Sequence, residues 1–259
     1  SMSRTVSNSG SFGSSPSFGG KGMPFIFTGM AIWSEYFLTM LRTRQMIYRR
    51  DPSAFQQTSE YSFKHALLRD VTYESVLKRV RQAYHALVAD WLIEQGGERQ
   101  EEYLGIIAEH LERAGKNEQA ASFLRQAGER AAERYANTEA VQYLSRALAL
   151  TPETYAAGLF TLLFKREEIY HLTGKRQEQR QDLQTLAELA QTVSDPQLNC
   201  TLLLRQARLA RFTDEYAPGI DAAQQAAETA AQMGDYELES QARRELGSVR
   251  GALARPLVA

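Results

Sequence analysis

The stretch "LGIIAEHLERAGKNEQAASFLRQAGERAAERYANTEAVQYLSRALALTP", Leu104 to Pro152, decides the fold. It carries Leu104, Ile107, Ala108 and Leu111 at helical spacing, then Gly115 in a short polar break, then Ala120, Leu124 and Ala127. Apolar residues three and four apart mark one face of a helix, and a glycine between two such runs marks the turn joining them. Leu124, Ala127, Gly128 and Ala131 start the pattern again, with Ala140, Leu144 and Ala147 as its second half and Pro152 closing it. The helix from about Asn117 to Arg134 therefore ends one unit and starts the next. Small residues recur where two helices must approach closely, with larger ones around them.

Outward from this stretch the same grammar continues. From about residue 60 onward Ala, Leu, Gln, Glu and Arg dominate, all good helix formers. Breaks fall at "EQGGERQE", "RAGKNEQ", "RYANTE", "LTPET", "LTGKRQ", "VSDPQ", "FTDEYAPG" and "MGDYE", which delimit about nine or ten helices of roughly 12 to 20 residues. The third unit keeps Tyr170, Gly174, Leu183 and Leu186, but its two small slots hold Glu167 and Gln179. Its helices are expected to pack less closely or to be partly open. The fourth returns to pattern with Leu203, Ala207, Ala210, Tyr216, Gly219, Ala223 and Ala226. A fifth starts at "YELESQARRELGSVR" and is expected to be incomplete, leaving an edge for a partner or a second copy to cover.

These units resemble the tetratricopeptide repeat, whose small residues sit at its eighth and twentieth slots and whose proline closes the unit. The resemblance implies an all-α fold, a helical-repeat solenoid wound as a right-handed superhelix. Its first helices would line a concave groove that receives a peptide, a helix or another domain. The groove positions that the pattern implies are Arg125, Glu129 and Glu133, then Phe164, Glu168 and His171, then Leu204, Arg208, Arg211 and Phe212.

Upstream the chain reads differently. Residues 1–22 hold eight serines and five glycines, too little apolar surface to offset chain entropy, and are expected to be a disordered tail. Met23 to Leu41, "MPFIFTGMAIWSEYFLTML", is the most apolar run, interrupted by Pro24, Gly29, Ser34 and Glu35. Those interruptions favour a segment buried against the fold or against a second copy over a membrane span. "MIYRR" (Met46–Arg50) and "EYSFK" (Glu60–Lys64), separated by "DPSAFQQTS", read as one hairpin.

From about Glu35 to Asp235, and most strongly over Met46–Pro152, the chain is similar to the junction at which the winged helix of large bacterial STAND-type ATPase regulators passes into a repeat array. Such regulators include multidomain adenylate/guanylate cyclases and MalT-like or LuxR-type activators. The resemblance implies a winged-helix-like remnant with one β-hairpin at 23–64, linking helices at 65–99 and repeats at 100–259. It implies a regulatory sensor arm, and the single cysteine, Cys200, fits a reducing, cytoplasmic setting. The ATPase itself is not in the sequence, which has no G-x-x-x-x-G-K-[ST] phosphate loop.

Between these regions, Ala66, Leu67, Val71, Val76 and Leu77 make one apolar face, and Val80, Tyr84, Leu87, Val88, Trp91 and Leu92 another. His65, His85, His110 and His171 read as single helix or loop histidines without metal-ligand spacing. Asp70 and Glu74 read as surface carboxylates, and the single cysteine, Cys200, as packing. No cofactor, metal or catalytic set is expected. The leading reading is a non-catalytic interaction scaffold with a protein or peptide partner, self-association being open through Met23–Leu41 or the last repeat. The alternative is a DNA-binding regulator whose Arg42, Arg44, Arg49, Arg50 and Lys64 contact phosphates around the wing. A net charge of −1 draws the whole molecule to neither nucleic acid nor membrane.

Overall fold

The structure is a computed structural model that describes residues 25–26, 33–51, 58–193 and 195–254. The Ser/Gly-rich segment at 1–22 lies outside the described residues, as do 52–57 of the predicted hairpin's connection. The chain groups into two compact units, Ser1–Leu77 and Lys78–Ala259.

The first unit holds strand β1 (Phe25–Ile26), helix α1 (Trp33–Thr43), strands β2 (Ile47–Arg50) and β3 (Glu60–Phe63), and helix α2 (Ala66–Ser75). The predicted hairpin is present as β2 and β3, antiparallel with Ile47 opposite Phe63 and Arg50 opposite Glu60. It is not alone. Phe25 and Ile26, read as part of one continuous apolar run, pair with β3 on its other edge and make a three-stranded sheet. Along β2 Ile47 is buried and the next three residues are exposed, so only the start of the strand is covered. The apolar face expected on α2 exists in the sequence, but no residue of that helix is buried and Leu67 is 75% exposed. No helix among the described residues is long and apolar enough to cross a membrane.

The second unit is helical throughout: α3 (Lys78–Gly96), a 3-10 turn (Gly97–Arg99), α4 (Gln100–Ala114), α5 (Asn117–Glu133), α6 (Asn137–Leu150), α7 (Ala156–Thr173), α8 (Arg176–Ala190), α9 (Pro196–Phe212), α10 (Tyr216–Met233) and α11 (Tyr236–Leu253). Each helix packs against the next, and α5 also meets α7 as α9 meets α11, so alternate helices form a common layer. This is the all-α helical-repeat fold read from the sequence.

One turn geometry is reused. At Gly115 and at Gly174 the chain enters the left-handed region, with φ of 79° and 72°. The next residue's N–H then reaches back to the helix: Lys116 to the Leu111 carbonyl at 2.9 Å and Lys175 to that of Tyr170 at 3.0 Å. These bonds occupy carbonyls that the helix ends leave orphaned. Tyr135 adopts the same conformation without being glycine, at φ 60°, and Ala136 makes the matching bond to Ala131 at 2.9 Å. At the starts, Asp195 accepts from the N–H groups of Gln197 and Leu198, and Asp235 from those of Glu237 and Leu238.

The small slots are where helices touch. A Cβ placed on Gly128 would lie 2.8 Å from Leu144 Cγ, so that contact between α5 and α6 requires glycine. Ala108, Leu124, Ala131, Ala140, Leu144 and Ala147 form one core with Leu162 and Ile169 of α7. Phe160, Leu163, Leu183, Leu186, Leu202 and Leu209 form the next. Cys200 is fully buried with Ala226, Ala230 and Ala242, its thiol donating to the Ala226 carbonyl at 3.3 Å, which is the packing role expected of it.

Two sequence expectations change. The face of α3 that is buried is His85, Ala89, Leu92 and Gly96, whereas Tyr84 and Leu87 are exposed. The buried stripe lies about one position from the apolar one, because His85 takes a core position that an apolar pattern does not mark. The third unit is not open at its slots: Glu167 and Gln179 are buried there and bonded to each other.

Candidate functional site

The layer of alternate helices carries all the predicted groove positions, and the structure treats its three parts differently. On α5, Arg125 pairs with Glu129 at 3.0 Å, Glu129 also lies 3.8 Å from Lys165 of α7, and Glu133 pairs with Arg130 at 2.8 Å. Those charges satisfy one another. On α9, Leu204 is only 9% exposed and packs in the core with Cys200 and Ala226, so it is not a groove residue. Leu204 shares a helix face with Arg208 and Arg211, but at its level that face is covered by Ala226 and Ala230 of α10 and Ala242 of α11.

Of the remaining predicted positions, Phe164, His171, Arg208, Arg211 and Phe212 converge where α7, α8 and α9 meet. Glu167 is the anchor below them. It accepts from Gln179 Nε2 at 2.6 Å and forms an ion pair with Arg205, whose guanidinium also donates to the Phe164 carbonyl at 3.1 Å. The same guanidinium lies 4.9 Å from the centre of the Phe164 ring. A second buried pair, Arg166 with Asp182, is bidentate at 2.9 and 2.5 Å, and Arg166 also donates to Ser145 Oγ at 2.8 Å. Burial pushes the Asp182 carboxyl above its ordinary range while Arg166 works the other way. Buried charges persist only when paired and hydrogen-bonded, and these are.

Above this floor sit His171, Arg176, Arg208, Arg211 and Phe212. Phe212 is 46% exposed. Two guanidiniums lie over its ring, Arg176 at 4.6 Å and Arg211 at 4.5 Å, and the His171 ring meets it edge-on at 5.3 Å. Arg176 donates to the His171 carbonyl at 3.1 Å and to Gln179 Oε1 at 2.8 Å, both neutral acceptors. Arg211 pairs with Glu245 of α11 at 2.9 Å. Arg208 is exposed and makes no ion pair among the described residues. Burial first, and then Arg208 and Arg176, hold the His171 imidazole below its ordinary value, so it adds no charge near neutrality. Glu168 is exposed on α7.

Arg176 and Arg205 were not among the predicted positions. Arg205 could have been found, since it lies three residues before Arg208 on one helix face. Arg176 could not be placed without the turn at Gly174, which folds the start of α8 back over the end of α7.

The proposed phosphate-contacting residues of the first unit are mostly engaged. Arg49 pairs with Asp51 at 3.1 Å, Arg50 with the buried Glu60 at 2.9 Å, and Lys64 donates to Gln45 Oε1 at 3.0 Å. Arg49 and Arg50, adjacent on a strand, project to opposite sides of the sheet. Arg42 and Arg44 are exposed at the end of α1 and beyond it.

One contact was not expected at all. His85 of α3 and His110 of α4 face each other with Nδ1 atoms 2.8 Å apart and ring centres 5.0 Å apart.

No protein-family profile matches the chain. An uncharacterized protein of Rhizobium meliloti (strain 1021) is 36% identical over 90 residues, which is 35% of this chain. The chain spans 9% of the length of that curated relative. Among solved structures, a MamA RS-1 double mutant and MamA 41-end from Desulfovibrio magneticus RS-1 are 13% and 14% identical. Each match covers 68% of this chain and 98% of the MamA chain at a TM-score of 0.39, a loose likeness.

Proposed function

We propose that this chain is a non-catalytic protein-interaction scaffold, the sensor arm of a larger signalling or transcription regulator of the STAND type. The observation that carries the interaction reading is the corner of α7, α8 and α9. There a buried polar floor fixes Phe212 and its surrounding guanidiniums in place, while leaving the Phe212 edge and Arg208 open to a partner. Pre-ordered aromatic and arginine side chains are the groups that dominate protein interfaces, because they offer area and hydrogen bonds at low ordering cost. The regulator part rests on the resemblance of residues 46–152 alone. DNA contact through the first unit is disfavoured by the carboxylate partners of Arg49 and Arg50.

The test is photo-crosslinking from position 172, an exposed neighbour of His171, with position 184 on α8 as the control. The expected result is a discrete protein adduct from 172, absent from 184 and abolished by Arg208→Glu. Identical adducts from both positions, or none from 172, overturn the reading.

A further inference from the structure

The chemistry of that corner narrows what it receives, given that it is an interaction site as proposed above. Three guanidiniums, from Arg176, Arg208 and Arg211, surround His171 and Phe212, and the carboxylate paired with them is Glu245, on Arg211. Holding like charges together costs energy that an incoming anion removes. A guanidinium is also the side chain best shaped for a planar, two-oxygen acceptor. Beside the cations lies an uncharged surface, the exposed part of Phe212, which is 46% exposed.

We propose that this corner binds an acidic peptide segment, its carboxylates on Arg208 and Arg176 and an adjacent aliphatic side chain against Phe212. A polyanion such as nucleic acid fits less well. The cations occupy the ends of neighbouring helices and do not form a stripe, and the chain's net charge of −1 supplies no wider positive field. A lone phosphate would leave the apolar surface unused.

The experiment is fluorescence anisotropy on the full chain with a short labelled Glu/Leu peptide, its Lys/Leu counterpart, inorganic phosphate as competitor and a labelled single-stranded oligonucleotide. The expected result is saturable binding of the Glu/Leu peptide alone, weakened about tenfold or more by Arg208→Glu and by rising salt. Arg208 is exposed, so that variant keeps its fold; Phe212→Ala, read beside it, should weaken the peptide without changing the salt slope. Four results overturn the proposal: no saturable binding of the Glu/Leu peptide, equal binding by Arg208→Glu, displacement by inorganic phosphate at concentrations similar to the peptide's, or tighter binding of the oligonucleotide. The crosslinking experiment separates the two readings. An adduct at 172 to a partner segment without carboxylates keeps the scaffold and sinks the acidic ligand, whereas no adduct removes the site itself.

Discussion

His85 and His110 place a titratable contact inside the helical array. With Nδ1 atoms 2.8 Å apart, one ring must donate and the other accept, which requires at least one neutral imidazole. Burial, then His85 and Arg113, lowers the His110 pKa to about 4, and burial, Arg113 and Arg81 lower that of His85. In the unfolded chain both bind protons near the ordinary value of about 6.5. The unfolded state therefore takes up protons first as pH falls. Stability from the pair is fully present above that value and drains away as pH drops toward about 4. Between about pH 7.5 and about pH 5 the His110 shift alone implies a loss on the order of 2 kcal/mol. Urea midpoints at the two values should show it, and His110→Gln should flatten the difference; an unchanged difference in that variant places the titration elsewhere. Nothing in the sequence pointed here. The two histidines are 25 residues apart, and their meeting depends on the rotational register of α3, which the apolar pattern of Tyr84 and Leu87 misplaced.

At the scale of elements, the third helix pair shows how a repeat tolerates large polar residues where its pattern asks for small ones. The sequence marked Glu167 and Gln179 as departures, and that much was legible. What they do instead was not, because it depends on Arg205, 38 residues further on, reaching back from α9 to complete the cluster. A buried network is stabilising only while complete, since each removal strands a partner. Glu167→Ala takes from Gln179 and the Arg205 guanidinium the carboxylate they share and should cost about 3 kcal/mol. Glu167→Ala with Gln179→Ala restores the small residues of the other units and should cost less than the sum of the single changes, with a coupling of about 1 kcal/mol or more. Denaturation of the two single variants and the double variant measures it. Strict additivity would mean that the two side chains fill their slots independently. Helix positions, by contrast, were readable because each break carries its own chemistry: Gly115 and Gly174 for the left-handed turn, Asp195 and Asp235 for the caps.

At the scale of the whole molecule, the period of small residues disclosed the architecture but not the division of the chain at Leu77 and Lys78. The sequence set the linking helices apart from the repeats at about residue 100. In the structure α3 packs along α4 as the array's first pair, with Ala89, Leu92, Ile107, Ala108 and Leu111 buried in those helices. In an array where each helix contacts its neighbours, stability is close to a sum of local terms, so a compact set of consecutive helices can stand by itself. The described end of this set is suited to water: the exposed side of α11 carries Glu237, Ser240, Arg243, Arg244, Ser248 and Arg250, with Tyr236 and Leu253 as its exposed large apolar residues. A shortened chain beginning at Lys78 is therefore expected to fold cooperatively, with more helical signal per residue than the full chain and an unchanged response to Glu167→Ala. Circular dichroism and urea denaturation of both chains decide this. Since Arg176, Arg208 and Phe212 are all on helices of this unit, the shortened chain should also hold the Glu/Leu peptide with the affinity of the full one. A folded but non-binding chain would mean that residues before Lys78 complete the site.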